Sequence, residues 1–178
     1  MEKKEDRRVQ MTKRMLKEAL IELLGEKDIY HISIRELCEA ADINRTTFYK
    51  YYGSQFDLLA DMENDIASFI SEAIVHQTSN YDKILSICSF LEENIGFARL
   101  IINNNVDLGF AQKIFSMEVI KENTLKPFMG KRNQAELEYM YHFMTYGAFR
   151  MVCVWLNKEK REPVPVFAKL LSQMIALI

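Results

Sequence analysis

The sequence predicts an all-α protein of about nine helices, and three observations carry that prediction. Among 178 residues there are only 6 Gly and 3 Pro, whereas residues that favour helices are plentiful. Apolar residues recur at helical spacing, as in Met15/Leu16, Ala19/Leu20 and Leu23/Leu24. Capping residues stand where one apolar-periodic run gives way to the next. Hydrophobic residues make up 49% of the chain, enough to bury a core and to argue against wholesale disorder.

The first amphipathic helix is expected from Met11 to Leu24, with Thr12 as N-cap and Gly25 as its stop. Lys13, Arg14, Lys17, Glu18 and Glu22 take its wet side. Ile29-Tyr30-His31-Ile32 reads as a short extended connector. Ser33 then caps a second helix from Ile34 to Ala41, and Glu36, three residues on, completes a capping box. Asp42 interrupts that helix, and Asn44 caps a short third one from Arg45 to Tyr52. Gly53-Ser54 breaks the chain again, with Ser54 capping a long helix over 55–77. Further helices are expected over 81–94, 95–104, 109–128, 133–157 and 163–177. Asn80 and Asn133 serve as N-caps there, and Pro163 suits a first helical turn. Thr78-Ser79-Asn80, Asn103-Asn104-Asn105 and Gly130-Lys131-Arg132-Asn133 mark the breaks. The reading divides the chain into a first domain over 1–54 and a second over 55–178.

Two capped helices about three residues apart, behind a longer one, form a helix-turn-helix in a three-helix unit. The inward positions Leu37, Ala41, Ile43 and Phe48 are apolar, and Cys38 is small where the helices cross. At about 100° per residue, an inward Phe48 turns Thr46 and Lys50 outward, flanked by Thr47 and Tyr49. Hydroxyls, a cation and an aromatic ring on one face suit base edges and phosphates. A short polar helix face can equally be solvated, and direction alone does not decide between the two.

Charge adds little. The net charge is −2, with 11 Lys+Arg against 10 Asp+Glu in residues 1–55 and 12 against 15 in the remainder. Where the cations point matters more than their sum. The charged opening Met1 to Arg8 does not resemble a signal peptide, and no segment approaches the roughly 18 unbroken apolar residues of a membrane span. A cytoplasmic protein without membrane partners is expected. Cys38, Cys88 and Cys153 are scattered and odd in number, which favours buried reduced thiols over disulfides or a zinc site. His31, His76 and His142 are equally dispersed, so no metal and no cofactor is expected. With no G-x-S-x-G, H-E-x-x-H, P-loop or dinucleotide glycine motif, the chain does not read as an enzyme.

The stretch from Ser33 to Leu59, SIRELCEAADINRTTFYKYYGSQFDLL, carries a more specific signal. It resembles the signature of TetR-family transcriptional regulators, T-[IV]-x-x-[IL]-A, then G-V-S, then T-[LF]-Y-x-[HY]-F, then G-[ST]-K-x-x-L-L. The match runs from about Thr12 to Leu59. The resemblance implies an N-terminal helix-turn-helix that binds double-stranded operator DNA, fused to a helical domain that dimerises and senses a ligand. Carried across position by position, Asn44 caps the recognition helix, and Thr46 and Thr47 become major-groove contacts. Arg45 reaches a guanine or a phosphate, Tyr49 and Tyr51 bond phosphates, and Arg35 reads a base near the groove edge. Lys50 is a phosphate candidate by direction. Two departures from the pattern bear on the turn and on DNA contact. The turn glycine is Asp42, a residue type that enters left-handed backbone more readily than most. The lysine that opens helix four is Gln55, which removes a charge contact.

Beyond residue 60 the resemblance is architectural only. The segments Tyr146–Leu156 and Val164–Ile178 are apolar nearly all round, so each needs cover on two faces. The resemblance implies that they pair with their symmetry mates in a homodimer. Tyr146, Gly147, Arg150, Met151, Val154, Trp155, Phe167, Leu170, Leu171 and Met174 are the candidate contacts. Phe90, Phe97, Phe110, Phe115, Tyr139, Phe143 and Met144 are candidates to line a pocket for a small apolar or aromatic ligand, though such residues at helical spacing also serve as plain core. The expected mode is repression relieved by that ligand. The tail motif, Tyr146-Gly-Ala-Phe149 followed by Trp155-Leu156, is similar to regulators of dihydroxyacetone-kinase operons, which implies the alternative of activation through a protein or metabolite coactivator.

Overall fold

The computed structural model describes residues 7–103 and 109–177, and among these every regular element is helical. The elements are α1 (Arg7–Glu26), a 3₁₀ turn (Ile29–His31), α2 (Ile34–Ala40), α3 (Arg45–Tyr49), α4 (Gln55–His76) and α5 (Asn80–Glu93). There follow α6 (Ile95–Asn103), α7 (Gly109–Phe115), α8 (Glu118–Leu125), a second 3₁₀ turn (Lys126–Phe128), α9 (Gln134–Asn157) and α10 (Val164–Ala176). The chain forms two compact units divided between Ile66 and Ala67. That division falls inside α4, whereas the capping pattern marks 54/55, because Leu58, Leu59, Met62 and Ile66 of α4 are buried with the first unit's core.

In the first unit the core is built from Leu16, Leu20 and Leu24 of α1, Ile29 and Ile32 of the connector, Leu37 of α2, Phe48 of α3 and Leu58 of α4. α1 packs on α2, and α2 on α3. Local chemistry accounts for most boundaries. Ser33 accepts from the Glu36 backbone N–H at 3.2 Å while the Glu36 carboxylate accepts from the Ser33 backbone N–H at 3.0 Å, the reciprocal box that starts α2. Bonds from Lys27 and from the Ser33 hydroxyl and backbone hold the Glu36 carboxyl down at about 2 from its usual 4.5. The turn after α2 places Asp42 at φ 52°, as the substitution at the family's glycine requires.

In this unit several boundaries differ from expectation: α1 begins before Met11, and α3 ends at Tyr49 rather than Tyr52. Thr12 does not cap α1; it lies one turn inside, where its hydroxyl donates to the Arg8 carbonyl at 2.9 Å. Gly25 does not stop α1, which runs one residue past it to Glu26. The connector is not extended: the Asp28 carboxylate accepts from the Tyr30 N–H and winds it into a 3₁₀ turn.

In the second unit α5 packs extensively on α10, while α6, α8 and α10 pack on α9. Phe69 stacks on Phe90 with centroids 4.0 Å apart, and Trp155 on Phe167 at 4.8 Å. Trp155 is 1% exposed and its indole N–H donates to the Glu162 carbonyl at 2.9 Å, which closes the α9–α10 turn. Asn133 caps α9 through a second reciprocal box with Glu136. The N-cap of α5 is Ser79 rather than Asn80. The helix expected over 109–128 is two helices, because the Ser116 hydroxyl bonds back to the Lys113 carbonyl and Met117 adopts extended backbone. The Tyr141 hydroxyl donates to the Phe115 carbonyl at that break. Pro163 stands at the N-cap of α10. Asn104 and Asn105 lie outside the described residues.

Cys38, Cys88 and Cys153 are free and buried, and burial, with the nearby Glu92 charge, pushes the Cys88 thiol up to about 12. No helix among the described residues is long and apolar enough to cross a membrane.

The left-handed backbone at Asp42 gives a test of the turn. Replacing it by glycine is expected to leave stability equal or raise it by up to about 1 kcal/mol, whereas Asp42→Val should cost at least about 1 kcal/mol, both read from urea unfolding.

Candidate nucleic-acid interface

The candidate site is the outward side of α3 with its flanks. α3 is only five residues long, so its orientation is imposed from outside. Asn44 caps it, the side-chain oxygen accepting from the Thr47 N–H at 2.7 Å. Phe48 anchors it from beneath, fully buried, with its ring 5.5 Å from Tyr49 and 5.8 Å from Tyr52. With Phe48 inward, Arg45, Thr46, Tyr49 and Lys50 are exposed and Thr47 is half-buried. Tyr49 is 57% exposed, a large ring that meets Phe48 edge-on and otherwise presents itself to solvent.

The flanks complete the picture. Lys50 lies over the Tyr51 ring at 5.5 Å, so cation and phenol present one polar, basic edge at the end of α3. Arg35 is exposed on α2, its guanidinium paired with Glu39 at 2.8 Å one turn along. Such an exposed pair is worth little in water, so Arg35 can leave it for a phosphate or base edge. Asn44 is exposed beside them, its oxygen engaged in the cap. Together α2 and α3 offer three cations, threonine and tyrosine hydroxyls, and an aromatic face.

Gln55, the first residue of α4, is half-buried. Around it the helix start is closed by its own residues. Ser54 accepts from the Asp57 N–H at 3.3 Å, and the Asp57 carboxylate accepts from the Gly53 N–H at 2.9 Å. A Cβ on Gly53 would sit 2.9 Å from that carboxylate oxygen, so a larger residue there would displace the Asp57 side chain from this bond. This helix start therefore carries a carboxylate and a neutral amide where the family pattern has a cation.

Sequence reasoning misses one group in this unit. The Tyr52 hydroxyl donates to Asp61 at 2.8 Å, and the Lys17 ammonium bridges Asp61 at 2.9 Å and Asp65 at 2.5 Å. Lys17 and Asp65 are 48 residues apart, so no helical spacing announces the pair. The single signal is Tyr52, standing where the pattern T-[LF]-Y-x-[HY]-F has phenylalanine.

The candidate pocket residues differ in exposure. Phe97, Phe110 and Met144 are buried, and Phe90 and Phe115 are half-buried against other rings. Tyr139 and Phe143 instead face outward, 76% and 70% exposed. The periodicity of α9 explains this: 139, 143, 146, 150 and 154 share one face, opposite Leu137, Tyr141, Met144 and Trp155. Tyr139 lines an open depression of about 370 Å³ with Arg132, Glu136 and Met140. The candidate dimer residues divide in the same way. Trp155, Phe167 and Leu171 are buried within the second unit and Met151 is half-buried, while Tyr146, Gly147, Arg150, Val154, Leu170 and Met174 are exposed.

Comparison with known proteins places this geometry. Residues 16–62 match the family described as bacterial regulatory proteins, tetR family, and residues 78–177 match the transcriptional regulator C-terminal region. The chain is 25% identical over 153 residues to the HTH-type transcriptional regulator YxbF of Bacillus subtilis, covering 81% of this chain and 39% of that one. It is 29% identical over 89 residues to the HTH-type dhaKLM operon transcriptional activator DhaS of Lactococcus lactis, covering 47% and 45%. The chain thus spans less than half the length of these curated relatives in the matched regions. A TetR transcriptional regulator from Streptococcus agalactiae shares the fold with a TM-score of 0.70 at 20% identity, over 96% of both chains.

The neutral start of α4 yields a salt test. Gln55→Lys is expected to steepen the slope of log affinity against log salt by about one for duplex DNA. An unchanged slope means that position 55 does not reach the backbone.

Proposed function

Because the chain belongs to the TetR family of bacterial transcriptional regulators, we propose that it works as a homodimer whose two α3 helices read the halves of one operator. It is a DNA-binding regulator and not an enzyme. The observation that carries the reading is the buried Phe48, which leaves Thr46, Tyr49 and Lys50 exposed on the outward face of a helix, an element that a major groove admits. Thr46 and Thr47 contact base edges there. Arg45 takes a guanine or a phosphate, Arg35 reads a base near the groove edge, and Tyr49, Lys50 and Tyr51 hold the backbone.

The dimer face in this reading is the outward stripe of α9, with Tyr146, Gly147, Arg150 and Val154, and the outward stripe of α10, with Leu170 and Met174. Tyr139 and Phe143 extend the α9 stripe by two further turns. Both helices bury one apolar side within the second unit and expose another, and the exposed rings and aliphatic chains need a partner to leave water. Dimerisation sets two recognition helices about 34 Å apart, one DNA turn.

The expected mode is repression released by a small apolar or aromatic effector, the class of molecule that the Phe and Met side chains inside the second unit suit. The effector acts by favouring a tilt of α4 that changes the half-site separation. The second reading is activation through a protein or metabolite coactivator, and it is favoured by the similarity to DhaS, an operon activator.

Selection from random duplexes by mobility shift is the direct test. The protein should enrich an inverted repeat and bind it as two protomers. Val154→Glu and Leu170→Glu are expected to give monomers by sedimentation and to weaken binding at least about 100-fold. Wild-type protein that retains no duplex, or charge variants that stay dimeric, would defeat the respective halves of the reading.

A further inference from the structure

The Tyr52 hydroxyl sits in an arrangement that its own unit does not need for a core. The ring is 5% exposed and packs on Phe48, which phenylalanine would do equally well. The added oxygen reaches Asp61, on the second turn of α4, at 2.8 Å. Asp61 in turn accepts from Lys17 of α1 at 2.9 Å, and Lys17 also meets Asp65 one turn further along α4. The Lys13 ammonium lies 6.0 Å from the Tyr52 ring centroid. Burial pushes the Asp61 carboxyl up, but the Lys17 and Tyr52 bonds outweigh it and hold it below its usual range. Partial burial lowers Lys17, and the two carboxylates more than restore it, so the group is charged throughout the neutral range.

The placement of the donors matters. Tyr52 lies three residues past the end of α3, and its backbone N–H donates to the Phe48 carbonyl at 3.0 Å, which ties its backbone to that helix end. Asp61 and Asp65 are one turn apart on α4, and Lys17 belongs to α1. One half-buried carboxylate thus receives a proton donor from the end of α3 and an ammonium from α1. A charge-assisted bond of this kind is directional, and the partly dry setting strengthens it. The apolar core fixes distances between these helices, but it tolerates sliding and rotation that a directional bond does not.

We infer that Tyr52, Asp61 and Lys17 are positioning residues for DNA recognition, locking the rotation of α3 on α4 and α1 without touching DNA themselves. The inference rests on the proposed reading of α3 as the recognition helix. Losing the lock lets α3 turn about Phe48, so Thr46 and the phosphate-binding edge of Tyr49, Lys50 and Tyr51 no longer engage together.

Tyr52→Phe removes one oxygen and keeps the buried ring. It is expected to lower affinity for a selected duplex about tenfold, a size reached by residues that couple to a site without contacting it. The same variant should make the salt slope shallower, because backbone contacts are lost with the misaligned edge. Asp61→Asn should act in the same direction, the double variant should lose less than the sum of the two, and Lys17→Arg should retain affinity. Ile29→Val, a core truncation in the same unit, serves as the control for stability, and it should bind as wild type at equal distance below its melting temperature. Tyr52→Phe and Asp61→Asn that bind with wild-type affinity and slope overturn the inference. So does a loss no larger than that of Ile29→Val. Wild-type protein that binds no duplex instead overturns the underlying reading of α3, so the two failures are distinguishable.

Discussion

The burial of Phe48 is the constraint on which the first unit turns. A helix of five residues has too few internal hydrogen bonds to hold its shape alone. Its existence depends on Asn44 closing the first turn and Phe48 fixing the underside. Once that side chain is inward, helical geometry decides which residues face out, and they are an arginine, a threonine, a tyrosine and a lysine. The interface is therefore a consequence of the core. α2 packs on α3 and the Tyr52 ring lies against the buried Phe48, and the polar face of α3 is what remains outside.

The second unit solves a different problem with the same periodicity. α9 and α10 each carry apolar residues on more than one side. One side is satisfied within the unit: Trp155 stacks on Phe167, and Leu137 and Tyr141 meet Leu125. The other side, from Tyr139 to Val154 on α9 and from Val166 to Met174 on α10, stays in contact with solvent in a single chain. A helix that is apolar nearly all round reads identically whether its second face meets its own core or a symmetry mate. This is why Trp155, Phe167 and Leu171 cannot be separated from Val154, Leu170 and Met174 by composition. The phase of the helix separates them.

What the sequence discloses follows the range of the interactions involved. Ser33, Asn44 and Asn133 bond groups three residues away, so their capping roles are legible, as is the left-handed turn at Asp42. Thr12 and Ser116 have the same hydroxyl chemistry but bond backward to carbonyls, and local pattern does not distinguish the two uses. Phe48 and the outward threonine and lysine are legible because one apolar anchor sets the phase. The exposed Tyr139 and Phe143 read like the buried Phe97 and Phe110 because aromatic identity says nothing about which way a helix faces. The Tyr52–Asp61–Lys17 bonds join three helices and leave no periodic trace beyond one tyrosine in place of a phenylalanine.

The central claim is that α3 enters the major groove and reads base edges as one of a pair. Dimethyl sulfate protection measures this directly, because the reagent methylates guanine N7 on the major-groove edge. On a selected duplex with the dimer bound, the account predicts protection of guanines in two major-groove tracts centred about one helical turn apart. Retarded DNA whose N7 atoms stay fully reactive, or a single protected tract, would contradict it.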